Sequence, residues 1–363
     1  MHRSVTGSPA MADQEQPDWL DLPSDLLELI GQRTRDAVTG VAAFRSVCRT
    51  WRAAIGPAPR LLLPRAGAGH ALVFPLSRGW SIVVDARDVS CRLSHLAAGV
   101  TAALPRLNMQ RTVRELALGN DLRFTDLFRF AVHAPPDAPA AAAGMTVMMY
   151  HMQLGRTGVL FCRPGDAAWT EVEKPTPIGL GFSDFAYHDG KMFGLDTNGE
   201  MAVYDAATLD VLHLVRKPPD TPILGNTMYG FGTRHRRFKE FNYIHLVALP
   251  SKLVLVRTSV KFFRPVAFSI FELGSTPDGL AWLKVTDAGN YELFMDGYHT
   301  TFRENGANSG TRIYYVHDEH CPLQVPSTIA AYCYSMQDNR LECVYSSPED
   351  SLECSTKPSW FVP

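Results

Sequence analysis

Two short apolar helical patterns lie close together near the start of the chain, in residues 18–55. The first places Leu22, Leu26 and Ile30 four residues apart, a spacing that brings them to one face of a helix. The second repeats apolar side chains every three or four residues, with arginines between them, and predicts a single helix that ends at Ile55. Roughly forty residues cannot bury this much apolar surface alone. The helices therefore need either the rest of the chain or the groove of a partner.

The ends of these two helices have recognisable sequence signals. Ser24 is the expected N-cap of the first helix, and Asp25 and Glu28 place negative charge in its first turn, where the helix dipole favours it. Gly31 weakens a helix by about 1 kcal/mol relative to alanine, so we expect the first helix to end near it. Gly56-Pro57 stops the second helix.

From about residue 70 the apolar pattern changes from a helical period to a period of two, which is typical of strands. Short runs rich in Val, Ile, Leu, Phe and Tyr are separated by turn residues. Hairpin turns are predicted at four Asp-Gly or Asn-Gly pairs: Asp189-Gly190, Asn198-Gly199, Asp278-Gly279 and Asp296-Gly297.

A weak internal repeat organises this β region. Residues 190–214 and residues 310–344 both read as strand, turn, aromatic strand, turn, strand. A repeat of roughly 40–50 residues with three or four strands indicates propeller blades, and the remaining length allows about six or seven irregular ones. The predicted fold is mainly β with a small N-terminal α-helical module. Its expected parts are a disordered N-terminus (1–17), a helical module (18–60) and a β-propeller-like domain (61–363).

Composition narrows the range of functions. The net charge of −2 argues against a broadly basic nucleic-acid-binding surface, and no uncharged apolar run is long enough to span a membrane. The seven cysteines are odd in number and show no Cys-x-x-Cys spacing, and no Asn-x-Ser/Thr acceptor is present. We therefore expect buried free thiols and an intracellular location, in the nucleus, the cytoplasm or both.

Candidate chemistry in the β region is sparse. Residues 317–321, His-Asp-Glu-His-Cys, could bind zinc, but they read as a loop and lack a second ligand pair. Asp184, His188 and Asp189 could form an acid–base group, although His188-Asp189-Gly190 is more simply a turn. The basic run 234–239 is either a charged loop or a patch for nuclear targeting or an acidic partner. We predict no catalytic residue, no metal and no cofactor.

The helical region resembles an F-box. The matching segments are Trp19-Leu20-Asp21-Leu22-Pro23-Ser24-Asp25-Leu26-Leu27-Glu28-Leu29-Ile30 and Phe44-Arg45-Ser46-Val47-Cys48-Arg49-Thr50-Trp51-Arg52. The resemblance implies that the helices bind a Skp-type adaptor, which in turn contacts a cullin, by placing apolar side chains in a groove. Some of the matching positions must instead hold the helices together. The positions that match the adaptor-binding motif are Leu22, Pro23, Leu26, Leu27, Ile30, Val47, Cys48 and Trp51.

The rest of the chain is similar to the plant F-box proteins whose C-terminal region is known as domain of unknown function (DUF) 295. Matching pieces include residues 159–169, residues 188–196 and, most specifically, the closing residues 357–363. The family is described as kelch-like or propeller-like, so the resemblance implies a propeller fold and a role in binding target proteins. It supplies no catalytic residues. Trp360-Phe361 is expected to pack as a final strand that closes the β domain, with a partner-binding tail as the alternative.

These observations predict a substrate-recognition subunit of an SCF-type cullin ubiquitin ligase. The F-box would bind the adaptor and the β domain an unknown target protein, while the chain itself would make no bonds. Two alternatives stay open: an F-box scaffold that works outside the ligase, and a propeller enzyme. The enzyme requires Asp184, His188 or His317 to meet at one mouth of the propeller channel.

Overall fold

The structure, a computed structural model, separates the chain into two compact units, residues 1–58 and residues 59–363. The residues that it describes are 22–34, 40–55, 59–62, 71–76, 80–85, 87–95, 99–107, 128–133, 145–153, 156–171, 182–196, 199–218, 240–261, 264–296, 299–306, 310–318, 329–346 and 359–362. Within these ranges no helix is long and apolar enough to cross a membrane.

In the first unit, residues 22–34 and 40–55 form three helices rather than the two expected. Helix α1 spans Ser24–Thr34, α2 spans Gly40–Ser46 and α3 spans Arg49–Ala54. The prediction of one continuous second helix was wrong, because Cys48 adopts an extended backbone with φ of −158° and ψ of −179°. The N-cap prediction was wrong by one residue: helix α1 begins at Ser24, and the Pro23 carbonyl accepts the first hydrogen bond, from the Leu27 amide at 3.0 Å. It continues past Gly31.

The described residues of the second unit form five blade-like sheets and one two-stranded ribbon. In the first blade the strands are β2 (Ala71–Pro75), β3 (Trp80–Asp85), β4 (Cys91–His95) and β5 (Val100–Leu104). In the second they are β6 (Phe128–His133), β7 (Thr146–Gln153), β8 (Arg156–Cys162) and β9 (Thr170–Glu171). In the third they are β10 (Phe182–His188), β11 (Lys191–Asp196), β12 (Met201–Asp205) and β13 (Val211–Val215).

The last two blades are longer. The fourth contains β14 (Glu240–Leu249), β15 (Lys252–Lys261), β16 (Arg264–Thr276) and β17 (Gly279–Val285). The fifth contains β18 (Tyr291–Met295), β19 (Thr300–Glu304), β20 (Arg312–Asp318), β21 (Ile329–Ser335) and β22 (Arg340–Ser346). The first four blades are antiparallel meanders of four strands. In the fifth, β18 lies between β19, its antiparallel partner, and β20, which runs parallel to it.

The prediction of six or seven blades was therefore wrong, and the described residues form five. Successive blades begin at residues 71, 128, 182, 240 and 291, roughly 50–60 residues apart instead of the expected 40–50. The two longest intervals contain the connections between the first and second blades, residues 105–127, and between the third and fourth, residues 216–239, which use more chain than the repeat suggested. The repeat itself is confirmed, since its two copies coincide with β11–β13 and β20–β22.

The hairpin prediction at Asp189-Gly190 is confirmed. His188 pairs with Lys191, so the loop has two residues, and their φ angles of 49° and 69° are both positive, as a type I′ turn requires. At Asp278-Gly279 the prediction was shifted by one residue, because Gly279 is already paired with Thr276 in the ladder. Asn198 and Gly297, in the other two predicted turns, lie outside the described residues.

Among the residues that the structure describes, apolar side chains on facing blades form four core clusters. The largest joins the first two blades through residues such as Ile82, Leu93 and Val147, all completely buried. A smaller one joins the second blade to the third. Two more join the third to the fourth, around Phe193 and Leu255, and the fourth to the fifth. The two faces of one strand serve two neighbouring blades, which explains strands that read as continuous apolar runs.

The first and last strands of the second unit form a two-stranded ribbon. Strand β1 (Arg60–Leu62) pairs antiparallel with β23 (Ser359–Phe361). The Trp360 side chain is 2% exposed and packs edge-on against Phe294 and Tyr314 of the fifth blade. Its indole N–H donates to the Met295 carbonyl at 3.2 Å. The prediction that the chain end packs as a closing strand is confirmed.

Candidate functional site

The helical module is built around a very small core. Leu27 of α1, Phe44 of α2 and Ile55 at the end of α3 are 0–4% exposed. Trp51 covers them from one side, with its ring centroid 4.7 Å from that of Phe44. Gly31 lets α1 approach α3, since a Cβ at this position would lie 2.4 Å from the Ile55 Cγ2. The glycine is therefore a packing residue and not the end of the helix.

Two arginines hold the break between α2 and α3. The Arg45 guanidinium donates to the carbonyl of Arg52 at 2.8 Å and also to that of Ile55. In return Arg52 Nε donates to the Arg45 carbonyl at 3.1 Å. The last carbonyls of both helices, which have no partner within the helix, are satisfied in this way. These contacts fix the angle at Val47 and Cys48, where the sequence alone indicated continuous helix.

The eight predicted adaptor-binding residues fall into two groups. Leu27 is completely buried, while Leu22, Ile30 and Trp51 are partly buried and pack on the module's own core. Pro23, Leu26 and Val47 are exposed, and Cys48 is partly exposed. Leu22, Leu26 and Ile30 therefore do not form one face, because Leu26 is exposed while the other two pack on the core. The buried face of α1 consists of Leu27, Ile30 and Gly31. Adaptor binding itself remains a prediction.

Sequence reasoning missed one exposed apolar residue on the same helix. Leu29 is 50% exposed, and Leu26, one turn earlier, is 44% exposed. Residues three apart are neighbours on a helix surface, and Pro23 lies three residues before Leu26 on that side. The spacing Pro23, Leu26, Leu29 was visible in the sequence, but a second leucine face could not be told from the core face by period alone. Together with Val47, which is 50% exposed, these residues form the exposed apolar set of the module.

In the β unit, the candidate acid–base group does not assemble. Asp184 lies near the start of β10 and His188 at its end, and the strand rise of about 3.3 Å per residue separates them by roughly 13 Å. The side chain of His317 lies outside the described residues, as do residues 319–321 of the possible zinc loop and the whole basic run 234–239. In the ranges that the structure describes, no group of three or more His, Cys, Asp or Glu side chains could hold a metal ion.

Asp184 instead connects two blades. It is 8% exposed, and its Oδ2 accepts a hydrogen bond from the Leu246 amide of β14 at 2.8 Å. The Leu246 carbonyl accepts a bond from the Thr300 hydroxyl of β19. His245 Nδ1 lies 4.0 Å from the same carboxylate oxygen. Asp184 thus connects the third blade to the fourth, and Thr300 connects the same strand β14 to the fifth blade. Sequence spacing gave no sign of this role for Asp184.

Two further carboxylates of the fifth blade are likewise used in structure. Glu292 is 4% exposed and binds Arg303, whose Nε donates at 2.9 Å. Asp296 accepts bonds from the His299 amide at 3.1 Å and from the Trp360 amide at 2.9 Å. Burial raises the pKa of Tyr314, the neighbour of Glu292, above its ordinary value. These groups anchor the fifth blade and the chain end.

The comparisons with known proteins agree with this architecture. Residues 58–346 match a family model described as the KIB1-4 β-propeller. F-box protein At2g17036 of Arabidopsis thaliana is 23% identical over 406 residues, covering 95% of this chain and 95% of that protein. F-box protein SKIP23 of the same organism is 28% identical over 247 residues, covering 55% of this chain and 58% of that protein.

Solved structures are more distant. YCF48 from Cyanidioschyzon merolae is 10% identical and covers 79% of this chain and 75% of its own, at a TM-score of 0.35. Nothing about function follows from a TM-score this low.

Proposed function

The chain belongs to the KIB1-4 β-propeller family as a plant F-box protein, and on that premise we propose that it is the target-binding subunit of an SCF-type ubiquitin ligase. Its helical module binds a Skp-type adaptor and, through it, a cullin. The propeller binds a target protein. The chain acts without chemistry of its own, by holding a target lysine close to the charged ubiquitin-conjugating enzyme.

The surface of α1 carries this proposal. Leu26 and Leu29 remain exposed although Leu27 between them is completely buried. Exposed leucines a turn apart on a short helix are the usual anchors of helix-in-groove binding. Burying a leucine side chain in such a groove is worth about 1.5–3 kcal/mol, so the adaptor gains from the surface that the module leaves open.

A cellular location follows from the same proposal. Adaptor and cullin act inside the cell, so we place the protein in the nucleus, the cytoplasm or both. The exposed Cys343 is a free thiol, which suits a reducing compartment.

Co-purification of the full-length chain with a plant Skp adaptor tests the proposal. Leu26→Lys and Leu29→Lys place charges on the exposed side of α1 without touching the core. We expect each to weaken adaptor binding by roughly thirtyfold, the equivalent of a hot spot of about 2 kcal/mol. The matched control is Val266→Lys, since Val266 lies on β16 of the propeller and is 50% exposed. Leu27→Ala is unsuitable because it would unfold the module.

Two outcomes would contradict the proposal. Adaptor binding that survives both charge substitutions would mean that α1 is not the contact surface. Adaptor binding without recruitment of a cullin, or without ubiquitin transfer in a reconstituted reaction, would favour the non-ligase scaffold.

A further inference from the structure

Strand β13, at the outer edge of the third blade, has an unusually apolar exposed surface. Its first four residues, 211–214, are all exposed. Val211 is 40% exposed, Leu212 42% and Leu214 61%. Leu214 has the largest exposed fraction among the large hydrophobic side chains in the described part of the chain.

Two other outer strands, β9 and β22, show protection that β13 lacks, while the equally uncharged β5 exposes the small side chains of Thr101 and Ala103. β9 has two residues, Thr170 and Glu171, both exposed. On β22 the exposed Arg340 and Glu342 form an ion pair at 2.7 Å. Short length and charge are two ways in which proteins prevent an edge strand from pairing with another chain. β13 has five residues and no charged side chain.

Among the described strands, one side of β13 has no hydrogen-bonded neighbour. Its inner side pairs with β12, in a register that joins Val215 to Met201 and Leu214 to Ala202. Within the ranges described above, no strand pairs with its outer side, because β13 is the last strand of its sheet. An extended segment could add there as a fifth strand, with main-chain hydrogen bonds giving affinity and side chains giving specificity.

Charge at one end of the strand indicates what such a segment would carry. Arg216 and Lys217 follow β13 directly, and both are exposed. Lys284 is exposed on β17, the outer strand of the next blade, against which β13 lies. At the opposite end stands Asp210. A complementary segment therefore has alternating apolar side chains and acidic residues at the end that lies over Arg216 and Lys217.

We infer that β13 is the edge at which a target protein docks, through an extended apolar segment with an acidic end. This inference rests on the proposed function and deepens it, since it assigns the target-binding role to one strand of one blade. It also accounts for the exposed apolar side chains of β13, because burial of Leu212 and Leu214 by the segment would stabilise the complex.

A phage-displayed library of random peptides of about twelve residues tests this on the full-length chain. We expect the recovered peptides to alternate apolar residues and to end in Asp or Glu. Leu212→Lys and Leu214→Lys should each weaken binding of a recovered peptide at least tenfold, measured by fluorescence anisotropy, while Val266→Lys leaves it unchanged. Methylation of alternate backbone amides of the peptide should have the same effect, since it removes strand pairing.

A charge-reversal variant tests whether Arg216 and Lys217 set the preference for acidic peptide ends. With Arg216→Glu and Lys217→Glu together, we expect the peptide preference to change from acidic to basic ends. Thermal unfolding of each variant should match that of the unmodified chain, because these side chains are exposed. Peptides that bind equally well to the Leu214→Lys variant, or a selection that enriches no peptide, would overturn the inference.

The same variants separate this inference from the proposed function. Adaptor co-purification should be unaffected by Leu214→Lys, because the substitution lies in the β unit. Loss of adaptor binding by the unmodified chain would disprove the ligase role and leave the peptide result standing. Normal adaptor binding with peptide binding that is insensitive to β13 would disprove the docking edge alone.

Discussion

The helical module and the propeller bury apolar side chains to very different extents. Within the described part of the module, only Leu27, Phe44 and Ile55 form a fully buried core, and Leu26 and Leu29 remain about half exposed. In the described part of the propeller, four apolar clusters join each of the five blades to the next one along the chain. Sheets packed face to face can complete a shared core, whereas a module of this size leaves apolar surface for a partner.

The largest expected effect tests whether the chain end is part of the propeller core. Trp360→Ala removes a buried ring from Phe294 and Tyr314 and leaves the Met295 carbonyl without its indole donor. We expect the free energy of unfolding of the propeller to fall by about 3–5 kcal/mol, measured by urea denaturation. Val266→Ala, at an exposed site, should change it by less than about 0.5 kcal/mol. A loss below about 1 kcal/mol for Trp360→Ala would show that the end is only loosely attached.

The next effect concerns the connection between blades. Asp184→Ala removes the acceptor of the buried Leu246 amide, and an unsatisfied buried donor costs about 1–3 kcal/mol. We expect the free energy of unfolding, measured by urea denaturation, to fall by about 2 kcal/mol. Asp184→Asn keeps one side-chain oxygen and should recover part of it. Equal losses for both variants would mean that the negative charge, and not the acceptor, is what matters.

The module gives a smaller effect whose sign is informative. Gly31→Ala would gain about 1 kcal/mol from helix propensity but places a Cβ 2.4 Å from the Ile55 Cγ2, and overpacking typically costs about 1–3 kcal/mol. We expect a net loss of about 1 kcal/mol, seen as faster amide hydrogen exchange in residues 24–55 of the full-length chain. Stabilisation by Gly31→Ala would contradict the close packing of α1 on α3. Combination with Ile55→Ala should make the two changes less than additive.

The smallest expected effect is a difference in the reactivity of two cysteine thiols, Cys91 and Cys343. Burial raises the pKa of Cys91 to about 12, so this thiol is protonated at pH 8 and unreactive. Cys343 is exposed on β22. Iodoacetamide should therefore label Cys343 in the native protein at least tenfold faster than Cys91, followed by peptide mass spectrometry. Comparable rates would show that the core shared by the first two blades opens easily. The expectation of buried thiols is met at Cys91 and Cys162 but not at Cys343.

Local signals in the sequence were sufficient for the elements that depend on nearby residues. The Asp189-Gly190 turn follows from two residues that tolerate positive φ, and the start of α1 follows from the proline and acidic residues around Ser24. The period of two predicted strands throughout the second unit. The closing aromatic pair was predicted to be a strand because exposed aromatic residues at a chain end would be unfavourable.

Other features depended on contacts between residues far apart in sequence. The break at Cys48 is held by the paired Arg45 and Arg52 contacts, which span the α2–α3 junction. Which of Leu26 and Leu27 faces the core depends on where Ile55 lies. The parallel pairing of β18 with β20 gives the fifth blade a fifth strand, which the sequence pattern did not predict.

The sequence by itself determined which kinds of element the protein contains, an apolar helical module followed by repeated strands. Its resemblance to an F-box also indicated the expected partner. Only the tertiary structure decided that there are five blades, that Leu26 and Leu29 are exposed while Leu27 is buried, and that β13 ends its sheet with an apolar edge. The physical reason is that hydrophobicity and turn chemistry are properties of neighbouring residues, whereas exposure is set by what the rest of the chain leaves uncovered.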